Sequence, residues 1–189
     1  QIINLGFDFD FYGVTYNKML ISSNGYVTFD TTSAGGYSPW AINAAIPNPG
    51  TPPENSIMVT WQDTDPGVAG AIYFGSYGAA PNRVYVVTWC GLAMFSCNNL
   101  IYTSQLRMYE GSNKIEMYLQ DKPLCATWNA GAAVQGLVDA TSTNFDIVND
   151  PIQILDRNFP LNWTAINEGW EFVPNGVNSY NISPIPFVS

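Results

Sequence analysis

Apolar and polar positions alternate with a period of two along much of the chain. Residues 5–12, Leu-Gly-Phe-Asp-Phe-Asp-Phe-Tyr, put Phe7, Phe9 and Phe11 on one face and Asp8, Asp10 and Tyr12 on the other, which is the pattern of a half-buried strand. Residues 11–30 predict a hairpin. Asn24-Gly25 separates two β-branched and aromatic runs, and the pair tolerates the positive φ angles of a two-residue type I′ turn. Such a turn sets Ser23 opposite Tyr26, Ser22 opposite Val27, Ile21 opposite Thr28 and Leu20 opposite Phe29, with Leu20, Val27 and Phe29 on the core side.

Residues 31–56 are rich in Thr, Ser, Gly and Asn, with Pro47, Pro49, Pro52 and Pro53 close together, so a long ordered loop is expected, with room for one helical turn near residues 40–45. Residues 57–61 form the next strand and run into the carboxylate-bearing turn Gln62-Asp-Thr-Asp-Pro-Gly67. A second hairpin is expected over 71–74 and 83–90, and a third over 102–110 and 114–120. In the third, Leu106, Met108, Ile115, Met117 and Leu119 are apolar, while Gln105, Arg107, Lys114 and Glu116 can face water. Residues 133–138 and 170–173 complete the series. Residues 174–189 carry prolines at 174, 184 and 186 and no periodicity, and read as a linker or the start of a following domain. No segment keeps a 3.6-residue apolar period over ten residues. The expected fold is all-β, an antiparallel β-sandwich with long ordered loops, forming one domain over residues 1–173.

Composition narrows the function. Apolar residues make up 47% of the 189-residue chain and charged ones 11%, so its polar surface comes largely from Asn, Ser, Thr, Gln and backbone, as in many strand-rich extracellular proteins. Six basic residues against 15 acidic ones give a net charge of −9, which leaves no basic stripe for phosphates and points away from nucleic acid. No apolar run is long enough to span a bilayer, so membrane insertion is not expected. The chain opens at Gln1 on strand-like sequence, which suggests a processed product or a piece of a longer protein.

Histidine is absent, which removes the usual general base, the Ser-His-Asp triad and His-based metal sites. No Gly-rich phosphate loop occurs either. No enzyme is expected. Asp63 and Asp65, two residues apart at a strand end, can offer hard oxygens to Ca²⁺, although the residues that follow do not complete an EF-hand loop. The alternative is that both cap the turn by accepting backbone N–H bonds. Trp40 and Trp128 lie in loop-like sequence, the latter followed by Asn129, and an exposed indole beside Asn and Asp side chains is a common way to build a sugar site. Their other reading, shared with Trp163, is a loop anchored to the core. Trp61, Trp89 and Trp170 lie in strands and are read as core. Of the three cysteines, Cys97 and Cys125 fall in loop-like segments at the ends of an intervening strand pair and are expected to form a disulfide, while Cys90 reads as a small buried thiol.

Three motifs, Phe11-Tyr-Gly-Val-Thr-Tyr16, Ile21-Ser-Ser-Asn-Gly-Tyr-Val-Thr-Phe29 and Val59-Thr-Trp-Gln-Asp-Thr-Asp65, resemble in order and spacing the nidogen-like extracellular domain. Gly35-Gly-Tyr-Ser-Pro-Trp40, Ile46-Pro-Asn-Pro49, Phe95-Ser-Cys-Asn-Asn-Leu100 and Lys122-Pro-Leu-Cys-Ala-Thr-Trp-Asn129 are similar to a bacterial version of that pattern. That version is found in very large, repeat-rich surface proteins of gliding bacteria, exported by the type 9 secretion system. The resemblance implies a non-enzymatic adhesive or structural module of a secreted, cell-surface adhesin connected with gliding motility. Its partners would be a surface polysaccharide or other extracellular ligand and the neighbouring domains of the same chain. The alternative is a carbohydrate-binding module, with or without calcium. Cysteines matching Cys97 and Cys125 recur in the family pattern and Cys90 departs from it.

Overall fold

The computed structural model describes residues 1–188, and apart from one 3-10 turn at Asn129–Gly131 its regular structure is all strand, in two antiparallel sheets packed as a sandwich. In chain order the strands are β1 (Ile2–Phe11), β2 (Val14–Ile21), β3 (Tyr26–Thr28), β4 (Ser56–Trp61), β5 (Thr64–Asp65), β6 (Ala71–Tyr77), β7 (Val84–Met94), β8 (Cys97–Tyr109), β9 (Ile115–Lys122), β10 (Val134–Val138), β11 (Phe145–Ile147), β12 (Ala165–Pro174) and β13 (Tyr180–Ile185). One sheet runs β1-β2-β3-β4-β10-β11 and the other β13-β12-β9-β8-β7-β5, with β6 also paired to β7.

The alternation seen in the sequence becomes the core. Ile3, Leu5, Phe7, Phe9 and Phe11 of β1 are all buried, and they meet Val87, Trp89, Leu106, Met108, Met117 and Phe172 of the facing sheet. Trp89 ties the layers together by donating its indole N–H to the Ser22 carbonyl at 2.8 Å. Trp61, Trp89 and Trp170 are buried, as expected of strand tryptophans.

The β2–β3 hairpin forms, but one residue out of the expected register. Leu20 pairs with Thr28 and Ile21 with Val27, and the Ser22 N–H bonds to the Tyr26 carbonyl, so Ser23, Asn24 and Gly25 make a three-residue turn. Leu20 therefore lies on the face opposite Val27, and Met19 takes the core position assigned to it. The cause is tertiary. Asn24 is buried: its side chain donates to the Pro39 carbonyl and accepts from the Thr64 N–H, and its own carbonyl accepts from Gln62. Gly25 (φ 76°) sits against Thr60, and its carbonyl takes the Val59 and Thr60 N–H groups. The turn is an internal joint, so strand–turn preference alone does not decide its shape.

Other local expectations shift as well. Residues 40–45 hold no helical turn and run as irregular chain. Glu116 is buried, accepting from the Tyr109 and Tyr118 hydroxyls at 2.6 and 2.8 Å and from the Lys114 ammonium at 2.6 Å. Cys90 is a free thiol but exposed, because its neighbour Trp89 points inward and alternation turns Cys90 out just before a break in register. Residues 170–173 do not end the strand series: β13 pairs along β12, and Tyr180 enters the core beside Phe11 and Tyr12. Most of the stretch read as a linker or following domain thus lies on this sheet or beside it, and Ser189 is outside the described residues.

Candidate functional site

Four segments distant in sequence meet at one end of the sandwich. The long loop after β3 brings in Trp40, the end of β4 leads to Gln62 and Asp63, the β7–β8 turn carries Phe95, and the segment after β9 carries Cys125, Trp128 and Asn129. Each is fixed by bonds to the others. The Pro39 carbonyl accepts from the Trp61 indole at 2.9 Å and from Asn24 at 3.0 Å, and the Trp40 carbonyl accepts from the Asn129 side-chain amide at 2.7 Å. The Trp40 and Trp128 rings stack with centroids 5.6 Å apart and planes at 28°, and Phe95 leans on Trp128 at 4.8 Å.

A disulfide clamps this end. Cys97 and Cys125 are bonded with their Cα atoms 5.8 Å apart, joining the strand that follows Phe95 to the segment that leads into Trp128. The β8–β9 hairpin brings the two cysteines together, as their placement around one strand pair implied. Cys97 opens β8 rather than sitting in a loop.

Asp63 and Asp65 play different parts. Asp63 accepts the Trp128 indole N–H at 2.8 Å. Burial pushes its carboxyl up, an effect the Trp128 bond opposes and the nearby Asp65 charge reinforces. Asp65 takes the Gly67 N–H at 3.0 Å, and its carbonyl accepts from Val68 and Ala69, so it shapes its own turn. Among the described residues no three His, Cys, Asp or Glu side chains gather as a metal ion requires, and a cation here would depend on amide and carbonyl oxygens for most of its ligands.

The structure thus unites Trp40, Trp128, Asn129 and Asp63 and leaves Asp65 beside them on a separate turn. It adds Phe95 and Gln62, which the sequence did not single out. Gln62 is only 2% exposed, and neither its Oε1 nor its Nε2 has a partner. It lines a pocket with Asp63, Phe95, Trp128 and Asn129 whose volume of about 10 Å³ suits one water or one hydroxyl. Aromatic faces flanked by amide and carboxylate groups can stack against a ligand and hydrogen-bond to it.

An antiparallel sandwich with an internal disulfide is a type of domain built for oxidising, extracellular surroundings. A family model described as NIDO related matches residues 1–170, and the chain belongs to this nidogen-related family. Membership is consistent with a non-enzymatic structural or adhesive module. No curated protein and no solved structure matches the chain. No helix among the described residues is long and apolar enough to cross a membrane.

Proposed function

We propose that this chain is an adhesive module of a large secreted, cell-surface adhesin of the kind that gliding bacteria export by type 9 secretion. The carrying observation is that a disulfide clamps the very end of the sandwich at which the Trp40, Phe95 and Trp128 rings gather. The two hydrogen-bonded sheets bear load, and the clamped end makes contact with a surface polysaccharide or another extracellular ligand. Neighbouring domains of the parent chain space it from the cell. Deleting residues 1–170 from the parent surface protein is expected to lower attachment of the cells, measured as the fraction retained on a surface after washing. Unchanged attachment, with the shortened protein still displayed, would contradict the proposal.

A calcium-dependent form of the same reading draws on the position of Asp63 directly behind Trp128, with Asp65 close by. An ion that binds only the folded chain raises its stability. Calcium is then expected to raise the melting temperature over that in chelator. Equal melting in the two conditions removes calcium from the account.

A further inference from the structure

Trp163 shows what a loop tryptophan does when it serves only as an anchor: it is 2% exposed and its indole N–H bonds to the Ala133 carbonyl at 2.9 Å. Trp40 departs from this on both counts. It is 48% exposed, and its Nε1 has no acceptor among the described residues. Yet it is firmly held, by Trp128 against one face of its ring, by Asn129 on its carbonyl and by two donors on the carbonyl of Pro39. A large apolar ring kept in water but already immobilised loses little further freedom when a ligand covers it.

One polar group at the same end of the sandwich is equally unspent. The buried Gln62 amide has both of its hydrogen-bonding atoms free, and a buried polar group left without a partner is costly unless water or a ligand satisfies it. The pocket it lines, shared with Trp128 and Asn129, has room for about one water. Charge narrows the ligand further. None of the six basic residues lines the pocket of Gln62, Trp128 and Asn129. The charges at the site are the carboxylates of Asp63 and Asp65, which repel an anion.

From these observations, and resting on the adhesive reading above, we propose that Trp40 is the stacking platform of a binding site for neutral polysaccharide, with Gln62 and Asn129 as its hydrogen-bonding side. The C–H face of a pyranose covers the free face of the indole, a sugar hydroxyl accepts from the Trp40 Nε1–H, and another hydroxyl reaches the buried Gln62 amide through one water held in the small pocket. Uronate-bearing and sulfated chains are disfavoured.

The test is affinity electrophoresis of the full chain in gels containing hydroxyethylcellulose, xylan, galactomannan or dextran, and in gels containing alginate. The inference expects retardation by at least one of the neutral polymers and none by alginate. Trp40→Ala should weaken that binding by about tenfold or more, as loss of a central aromatic anchor does. Tyr37→Ala, which removes a fully exposed ring elsewhere on the same loop, should leave it unchanged, and an unaltered melting temperature shows that both variants fold. No retardation by any neutral polymer, retardation by alginate alone, or equal retardation of wild type and Trp40→Ala each overturns the assignment. The adhesive reading survives such a failure if the parent protein's deletion still reduces attachment, and the ligand would then be a protein surface.

Discussion

Lys122 is almost completely buried, with its ammonium donating to the Trp163 carbonyl at 2.6 Å and lying 4.6 Å from the Trp163 ring. Burial, helped by the nearby Arg157 guanidinium, pushes its pKa down from 10.5 to about 7. Attraction to the ring works the other way but is worth only about 0.5–2 kcal/mol, less than the cost of burying the charge. Below about pH 7 the amine is protonated in the folded and unfolded chains alike, and the fold carries that cost in full. As pH rises from about 7 towards 10.5 the folded chain gives up the proton first, so stability increases, by a few kcal/mol at most. Above pH 10 the trend reverses, because burial holds the Tyr102 and Tyr118 hydroxyls up at about 12 while unfolded tyrosines ionise. Urea melts at pH 6.5 and 9.5 should show the gain, and Lys122→Met should abolish most of it. None of this was legible in the sequence, where Lys122 is one residue of a loop motif. The basic pair Lys122 and Arg157 comes together on Trp163 only once β9 and the segment before β12 are packed. Trp40, Trp128, Asn129 and Asp63 were legible one by one as residue types suited to a site. Gln62 was not, because an unsatisfied amide is a property of packing.

Among the elements, the strands were readable because burial on one face imposes a period of two, which β1 keeps over its whole length. The β2–β3 turn was misread by one residue because Asn24 and Gly25 answer to Pro39, Thr60, Gln62 and Thr64 rather than to each other. A methyl group on Gly25 would lie 2.2 Å from the Thr60 carbonyl oxygen, at a φ that side chains rarely adopt. Gly25→Ala is therefore expected to destabilise the fold by more than about 1 kcal/mol, seen as a lower urea midpoint. An unchanged midpoint would mean that the joint between β2, β3 and β4 yields easily. The Cys97–Cys125 bond closes a loop with a sequence separation of 28, for which chain entropy gives about 3–4 kcal/mol. Reduction, or replacement of both cysteines by serine, should lower stability by that order.

At the scale of the molecule, both layers of the sandwich follow from the sequence, whereas the last strand does not. Residues 180–185 contain Pro184 and lack clear alternation, yet β13 finds its place because β12 offers an open edge and Tyr180 fits against Phe11 and Tyr12. The long proline-rich loop was equally readable as irregular, but its route is set by bonds to Asn24, Trp61 and Asn129, all outside it. That route delivers Trp40 to the disulfide-clamped end, and the proposed function stands on it. The most direct test is the retention of beads coated with the chain, under flow, on a surface bearing the cell-surface polysaccharide of the bacteria that display the parent protein. Wild type should be retained well above beads carrying an inert protein, and Trp40→Ala should fall most of the way to that background while folding normally. Retention of the wild type at background, or undiminished retention of Trp40→Ala, would contradict polysaccharide binding by this end of the molecule.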